Sequence, residues 1–114
     1  MSALDGDGET TFVAQGRSIL VAAPGRPVAL VHRARFEVFS LALAEPHGLF
    51  FATKRAVGYV AEPGRAYTFM NAANAELHVG GDSLYVEMPN RGVMRLKPIA
   101  AFRAFADTLA ESAR

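Results

Sequence analysis

The chain has no cysteine, which excludes a disulfide scaffold, cysteine-ligated zinc, an iron–sulfur cluster and a thiol nucleophile together. It has no tryptophan and only two lysines, and its 12 basic side chains face 11 acidic ones, for a formal charge of +1. A balance that even supplies no long-range field to draw in nucleic acid or an anionic membrane. No apolar run approaches the roughly 18 to 20 residues a membrane helix needs, and the opening MSALDGDGET is acidic where a secretion signal is basic and then apolar. The expectation is a soluble, cytoplasmic protein without membrane insertion, metal or cofactor. With 114 residues there is room for one core and hardly two.

What is present is apolar sequence cut into short lengths. Residues 1–10 carry Asp5, Gly6, Asp7, Gly8 and Glu9 with little to bury, and read as an unstructured leader to a single domain over 11–114. From Thr11 to Lys97, runs rich in Val, Leu, Phe and Tyr alternate with Gly, Pro, Asn and Asp at the spacing of an antiparallel β domain. The runs are 11–15, 18–23, 27–33, 35–43, 49–61 with a break near Lys54-Arg55, 66–71, 75–80, 83–88 and 92–97. They predict a mainly β, meander or barrel-like domain of about seven to eight strands.

Two turns have the same chemistry. In Ala23-Pro24-Gly25-Arg26 and Glu62-Pro63-Gly64-Arg65, proline fixes φ at the second position and glycine supplies positive φ at the third, as a type II turn requires. After Pro98 the period changes: Ile99, Phe102, Phe105, Ala106 and Leu109 recur at three- and four-residue steps. That predicts an amphipathic helix over 98–113, docked through Ile99, Phe102, Phe105 and Leu109. An antiparallel β domain closed by one C-terminal helix resembles the layout of pleckstrin-homology-like domains. The resemblance implies a scaffold that binds proteins or lipids and transfers no site, because the helix lacks that family's tryptophan and Ala22–Arg26 offers one arginine in place of its basic hairpin.

Residues 20–38 align on 59–77 at an offset of 39 with seven identities, among them Pro24/Pro63, Gly25/Gly64 and Arg26/Arg65. Duplication and reuse of hairpin chemistry both explain this. Under duplication, Arg26 and Arg65 hold equivalent places and form a candidate anion clamp; otherwise each is a solvated turn residue.

Reactive constellations are scarce. His32, His47 and His78 form no HxH or HExxH pair, so no metal motif is expected. His47 falls in a turn, and His78 shares an outward strand face with Glu76. His32 alternates with Leu30 and Val28 on an apolar face and is the candidate core or pocket histidine. Arg33, Arg35 and Glu37 read as a solvated strand ladder. The serines lack a GxSxG elbow and the glycines lack a phosphate-loop context. Phe50 and Phe51 must point to opposite sides of their strand, so one of them becomes a candidate interface residue. These features favour a non-enzymatic binding or interaction module, a homo-oligomer or partner of another protein. The alternatives are a small-molecule pocket or small enzyme with its site near His32 and Arg26 or Arg65, and a nucleic-acid binder.

Overall fold

The structure, a computed structural model, describes residues 4–6, 10–44, 48–63 and 65–112, with side-chain surroundings for 10–44, 48–63 and 65–108. The expectations for His47, Gly64 and Leu109 lie outside these. The chain is mainly β and ends in a helix. Its strands are β1 (Leu4–Gly6), β2 (Thr11–Gln15), β3 (Ser18–Ala22), β4 (Ala29–Arg33), β5 (Val38–Ala44), β6 (Gly48–Thr53), β7 (Ala56–Glu62), β8 (Arg65–Asn71), β9 (Glu76–Gly80), β10 (Ser83–Met88) and β11 (Gly92–Leu96), followed by α1 (Ala100–Ser112). Every pairing is antiparallel and joins chain neighbours, as a meander requires. The described strands do not close into one barrel. They divide into three sheets, β1–β4, β5–β8 and β9–β11.

The first two sheets repeat each other. Phe12 pairs Val21, Val13 pairs Leu20 and Ala14 pairs Ile19. In β6–β7, 38 residues on, Phe50 pairs Tyr59, Phe51 pairs Gly58 and Ala52 pairs Val57. The register slips between Ile19 and Leu20 in one sheet and between Val57 and Gly58 in the other, again 38 apart. A further irregularity between Val60 and Glu62 adds one residue to the second unit, which is why the Pro-Gly-Arg turns align at 39. Gly25 has φ 73 and Arg26 N–H donates to Ala23 O at 3.2 Å, the geometry expected of that turn.

The sheets stack in layers around two cores. Ala14, Ile19 and Val31 of the first sheet meet Leu41, Leu49, Phe51 and Val60 of the second. The opposite face of the second sheet, with Phe50, Ala52, Val57 and Tyr59, packs on Leu77, Leu84 and Val86 of β9–β10 and on Ile99 and Ala106 of the helix segment. The middle sheet is therefore covered on both sides, and its strands lose the polar alternation of a half-exposed sheet.

Several expectations change accordingly. Phe50 and Phe51 do point to opposite sides, but there is a core on each side and both are buried, at 0% and 1% exposure; neither ring is available to a partner. Within residues 1–10, Leu4–Gly6 pairs with β2. The strand expected at 35 begins at Val38, and Arg35 and Phe36 lie in a bend, so the Arg33–Arg35–Glu37 ladder does not form. The helix begins at Ala100, two residues later than expected. It docks through Ile99, Phe102 and Ala106, whereas Phe105 remains 51% exposed. At about 100° per residue, Phe105 lies about 60° to one side of Phe102, enough to put it at the rim of the contact, edge-on to Tyr67.

Candidate anion-binding site

The two candidate arginines do not meet. Arg26 sits in the exposed β3–β4 turn. Arg65 starts β8, where its guanidinium lies 3.1 Å from Glu62 and 2.7 Å from Asp107; Arg103 closes the ring at 3.3 Å from Glu62 and 3.7 Å from Asp107. This quartet ties α1 to the β7–β8 hairpin and occupies Arg65. Every ion pair that joins described residues belongs to it.

At the opposite end of the β7–β8 hairpin collect cations that form no ion pair with any described residue. Thr53 is 3% exposed, and its hydroxyl accepts hydrogen bonds from the N–H groups of Arg55 at 3.2 Å and Ala56 at 3.1 Å. That side-chain turn fixes Lys54 and Arg55 at the tip of the β6–β7 hairpin. Arg55 O in turn accepts from Ala72 N at 3.0 Å, which joins the tip to the exit of β8 beside Asn71. The bend at 35–37 is anchored at both ends, through Ala34 N to Arg17 O at 2.7 Å and Val38 N to Gly16 O at 2.9 Å. Between these anchors Phe36 reaches the hairpin tip. Arg55 Cζ lies 5.1 Å from its ring centroid, Lys54 Nζ 5.7 Å and Arg35 Cζ 6.0 Å.

Two clefts adjoin here, sharing Arg55 and Asn71. One, of about 600 Å³, is lined by Lys54, Arg55, Asn71, Met88 and Arg91; the other, of about 380 Å³, by His32, Arg35, Phe36, Phe51 and Thr53 among others. Among the described residues, no carboxylate lines either cleft. Each cation–π contact contributes about 0.5 to 1 kcal/mol at an exposed position.

His32 belongs to this site, but not with the partners the sequence offered. Because the register slips in β3–β4, Ile19 pairs His32 while Leu20 pairs Leu30, and Val31 is the extra residue. Val31 and His32 both turn inward, whereas Leu30 and Val28 face outward at 55% and 62% exposure. The His32 ring lies 5.1 Å from that of Phe51. Burial holds its pKa below the usual 6.5. The unfolded chain therefore binds more protons than the folded one between that depressed value and 6.5, and stability rises with pH across the window. We expect denaturant midpoints to fall as pH is lowered from 7 through this range, and His32→Gln to remove that component of the loss; an unchanged pH profile in the variant would contradict it.

Sequence spacing missed Lys54, Arg55, Phe36 and Arg91 as a group, since they come from three separate turns or bends. It also missed Glu76, His78 and Glu87, whose donor atoms lie within 4.8 Å of one another on the exposed face of β9–β10. Glu76 and His78 share a strand face, as expected, but Glu87 reaches them only through its pairing opposite Glu76. All three are exposed, and no further feature marks them as a metal centre. No helix among the described residues is long and apolar enough to cross a membrane. No protein-family model, curated protein or solved structure matches the chain.

Proposed function

We propose that the chain is a non-enzymatic binding module that holds a small polyanion at the junction of the two clefts. The observation that carries this reading is the gathering of Arg35, Lys54 and Arg55 around Phe36, with Arg91 in the adjoining cleft and no carboxylate among the described residues paired to any of them. Guanidinium forks suit phosphate and carboxylate oxygens, while the His32, Phe36 and Phe51 side of the site suits a flat or apolar portion of the same ligand. Among the described residues no acid lines the cleft beside His32, which counts against a catalytic base oriented by a carboxylate. The order of strands and C-terminal helix, reminiscent of pleckstrin-homology-like domains, suits a binding scaffold without assigning a ligand.

Pyrophosphate and ADP, titrated calorimetrically at low ionic strength, test the reading. Arg55→Gln is expected to weaken binding at least about tenfold, the loss of about 1.4 kcal/mol, while Arg26→Gln leaves it unchanged. Equal losses in both variants, or no binding of either ligand to the parent, would refute the assignment. A second reading, single-stranded nucleic acid, draws on the same pairing of a ring with flanking cations. It predicts that an oligonucleotide binds more tightly than ADP and with a steeper salt dependence.

A further inference from the structure

Among the described residues that line the two clefts, His32 alone carries a group that titrates near neutral pH. The slip in register on β4 leaves its imidazole half-buried beside Phe51, with 5.1 Å between ring centroids. The side chains that line the cleft with it come from several other segments. The bend at 35–37 supplies Arg35, the β6–β7 tip supplies Thr53 and Arg55, and β8 supplies Thr68 and Asn71. Across the sheet, Ile19 of β3 stands opposite. Two of these groups are cations and none is an acid. The nearest further charges along the chain, Arg33 and Glu37, are exposed and lie outside the cleft lining. An imidazolium here would lose part of its hydration in a cleft shared with two guanidinium groups and without a described carboxylate to balance it. Burial holds the pKa below 6.5, so the ring is mainly neutral at pH 7.

We infer that the site binds its anion together with a proton, taken up by His32 as the cleft fills. This uptake presupposes the polyanion site argued above and adds to it a regulation by pH. An anion held by Arg35 and Arg55 brings negative charge into the cleft that His32 lines, and opposite charge in a shared, poorly hydrated space favours the protonated ring. Protonation also changes the hydrogen bonding, because a neutral imidazole has one N–H to donate and an imidazolium has two. Coupling of this kind is reciprocal: the anion tightens the proton by the same factor as the proton tightens the anion. On raising the pH, the free protein releases the His32 proton first and the complex releases it later. Between those two points the complex carries more protons, so affinity rises as pH falls, and outside that window it is level. For charges about 10 Å apart at an effective dielectric of about 20, the separation is on the order of one pKa unit, or about tenfold in affinity.

Benzene disulfonate is the calorimetric probe, a flat ring whose two sulfonates stay ionised throughout, whereas phosphate groups themselves titrate near neutrality. It is titrated into the full chain at constant low ionic strength from about pH 8 to about pH 5, a range that brackets histidine. The expected result is a dissociation constant that falls about tenfold toward acid, with a binding heat that varies with the ionisation enthalpy of the buffer, as proton uptake requires. His32→Gln should bind as the parent does at alkaline pH and lose the pH dependence; His78→Gln, altered on the exposed face of β9–β10, should retain it. In the unmodified protein, which needs no variant to fold, the His32 imidazole resonance should titrate at higher pH in the presence of saturating disulfonate or pyrophosphate than in their absence. An unmoved His32 titration in saturating anion, or a pH dependence that survives in His32→Gln, overturns the proton uptake and leaves the polyanion site standing. Failure of both anions to bind at any pH removes the site, and the uptake with it.

Discussion

Gly58→Ala should destabilise the protein by about 3 kcal/mol, at the upper end of the usual cost of overpacking, although it adds a single methyl group. Gly58 lies directly opposite Phe51 in the middle sheet, and an added Cβ would meet the Phe51 ring carbons at 2.3, 2.5 and 2.9 Å. The ring cannot simply swing aside. It is 1% exposed, packed in the core with Ile19 and Val31, and His32 lies against it. Urea denaturation measures the loss, which corresponds to a drop of about 12 to 24 °C in melting temperature for a domain near this size. Phe51→Leu should recover part of it when combined with Gly58→Ala, because the shorter side chain frees the space the methyl needs. A cost below about 0.5 kcal/mol, the range of an unremarkable surface change, would mean that Phe51 does not rest on Gly58.

Truncation after Lys97 should abolish the stable fold. The deletion removes Ile99, Phe102 and Ala106 from the core beneath the middle sheet. Phe102 lies 5.0 Å from the Phe50 ring, 5.9 Å from Tyr59 and 4.7 Å from Phe69, so its loss exposes three further rings to water. The helix is also held by Tyr67, whose hydroxyl donates to Phe102 O at 2.9 Å. Burial, and then the neighbouring Tyr59, push the Tyr67 pKa up to about 12, so that phenol keeps its proton across the neutral range. Phe102→Ala alone should cost about 3 kcal/mol, as phenylalanine-to-alanine changes in cores do, with Tyr67→Phe costing about 1 kcal/mol for the hydrogen bond. A truncated chain that melts at the parent's temperature would show the helix to be an independent appendage.

The features readable from sequence were those set by local chemistry. Pro24-Gly25 specifies its own turn, the break at Lys54-Arg55 separates β6 from β7, and the three-and-four spacing after Pro98 marks the helix. His32 was misread because simple alternation fails at a bulge, and no residue near Val31 announces one. Phe50 and Phe51 illustrate a different limit: period-two geometry says that they diverge, but only the stacking of three sheets says that both destinations are dry. The cationic site was beyond sequence reasoning for a topological reason. Arg35, Lys54 and Arg91 lie on separate connections, and their proximity depends on the anchors at Ala34, Val38 and Ala72 rather than on spacing.

The order in which strands find their partners follows from the meander. Each strand pairs with one adjacent to it in the chain, so a growing chain never waits for a distant segment before a hairpin forms, and the loop-closure entropy of each pairing is small. Low contact order of this kind accelerates folding relative to sandwiches whose neighbouring strands are remote in sequence. The slow event is then the docking of one finished sheet on the next. Mutations within a hairpin turn should therefore act mainly on the early formation of that sheet, and those between layers, such as Gly58→Ala, mainly on the later docking step and on the rate at which the layers part.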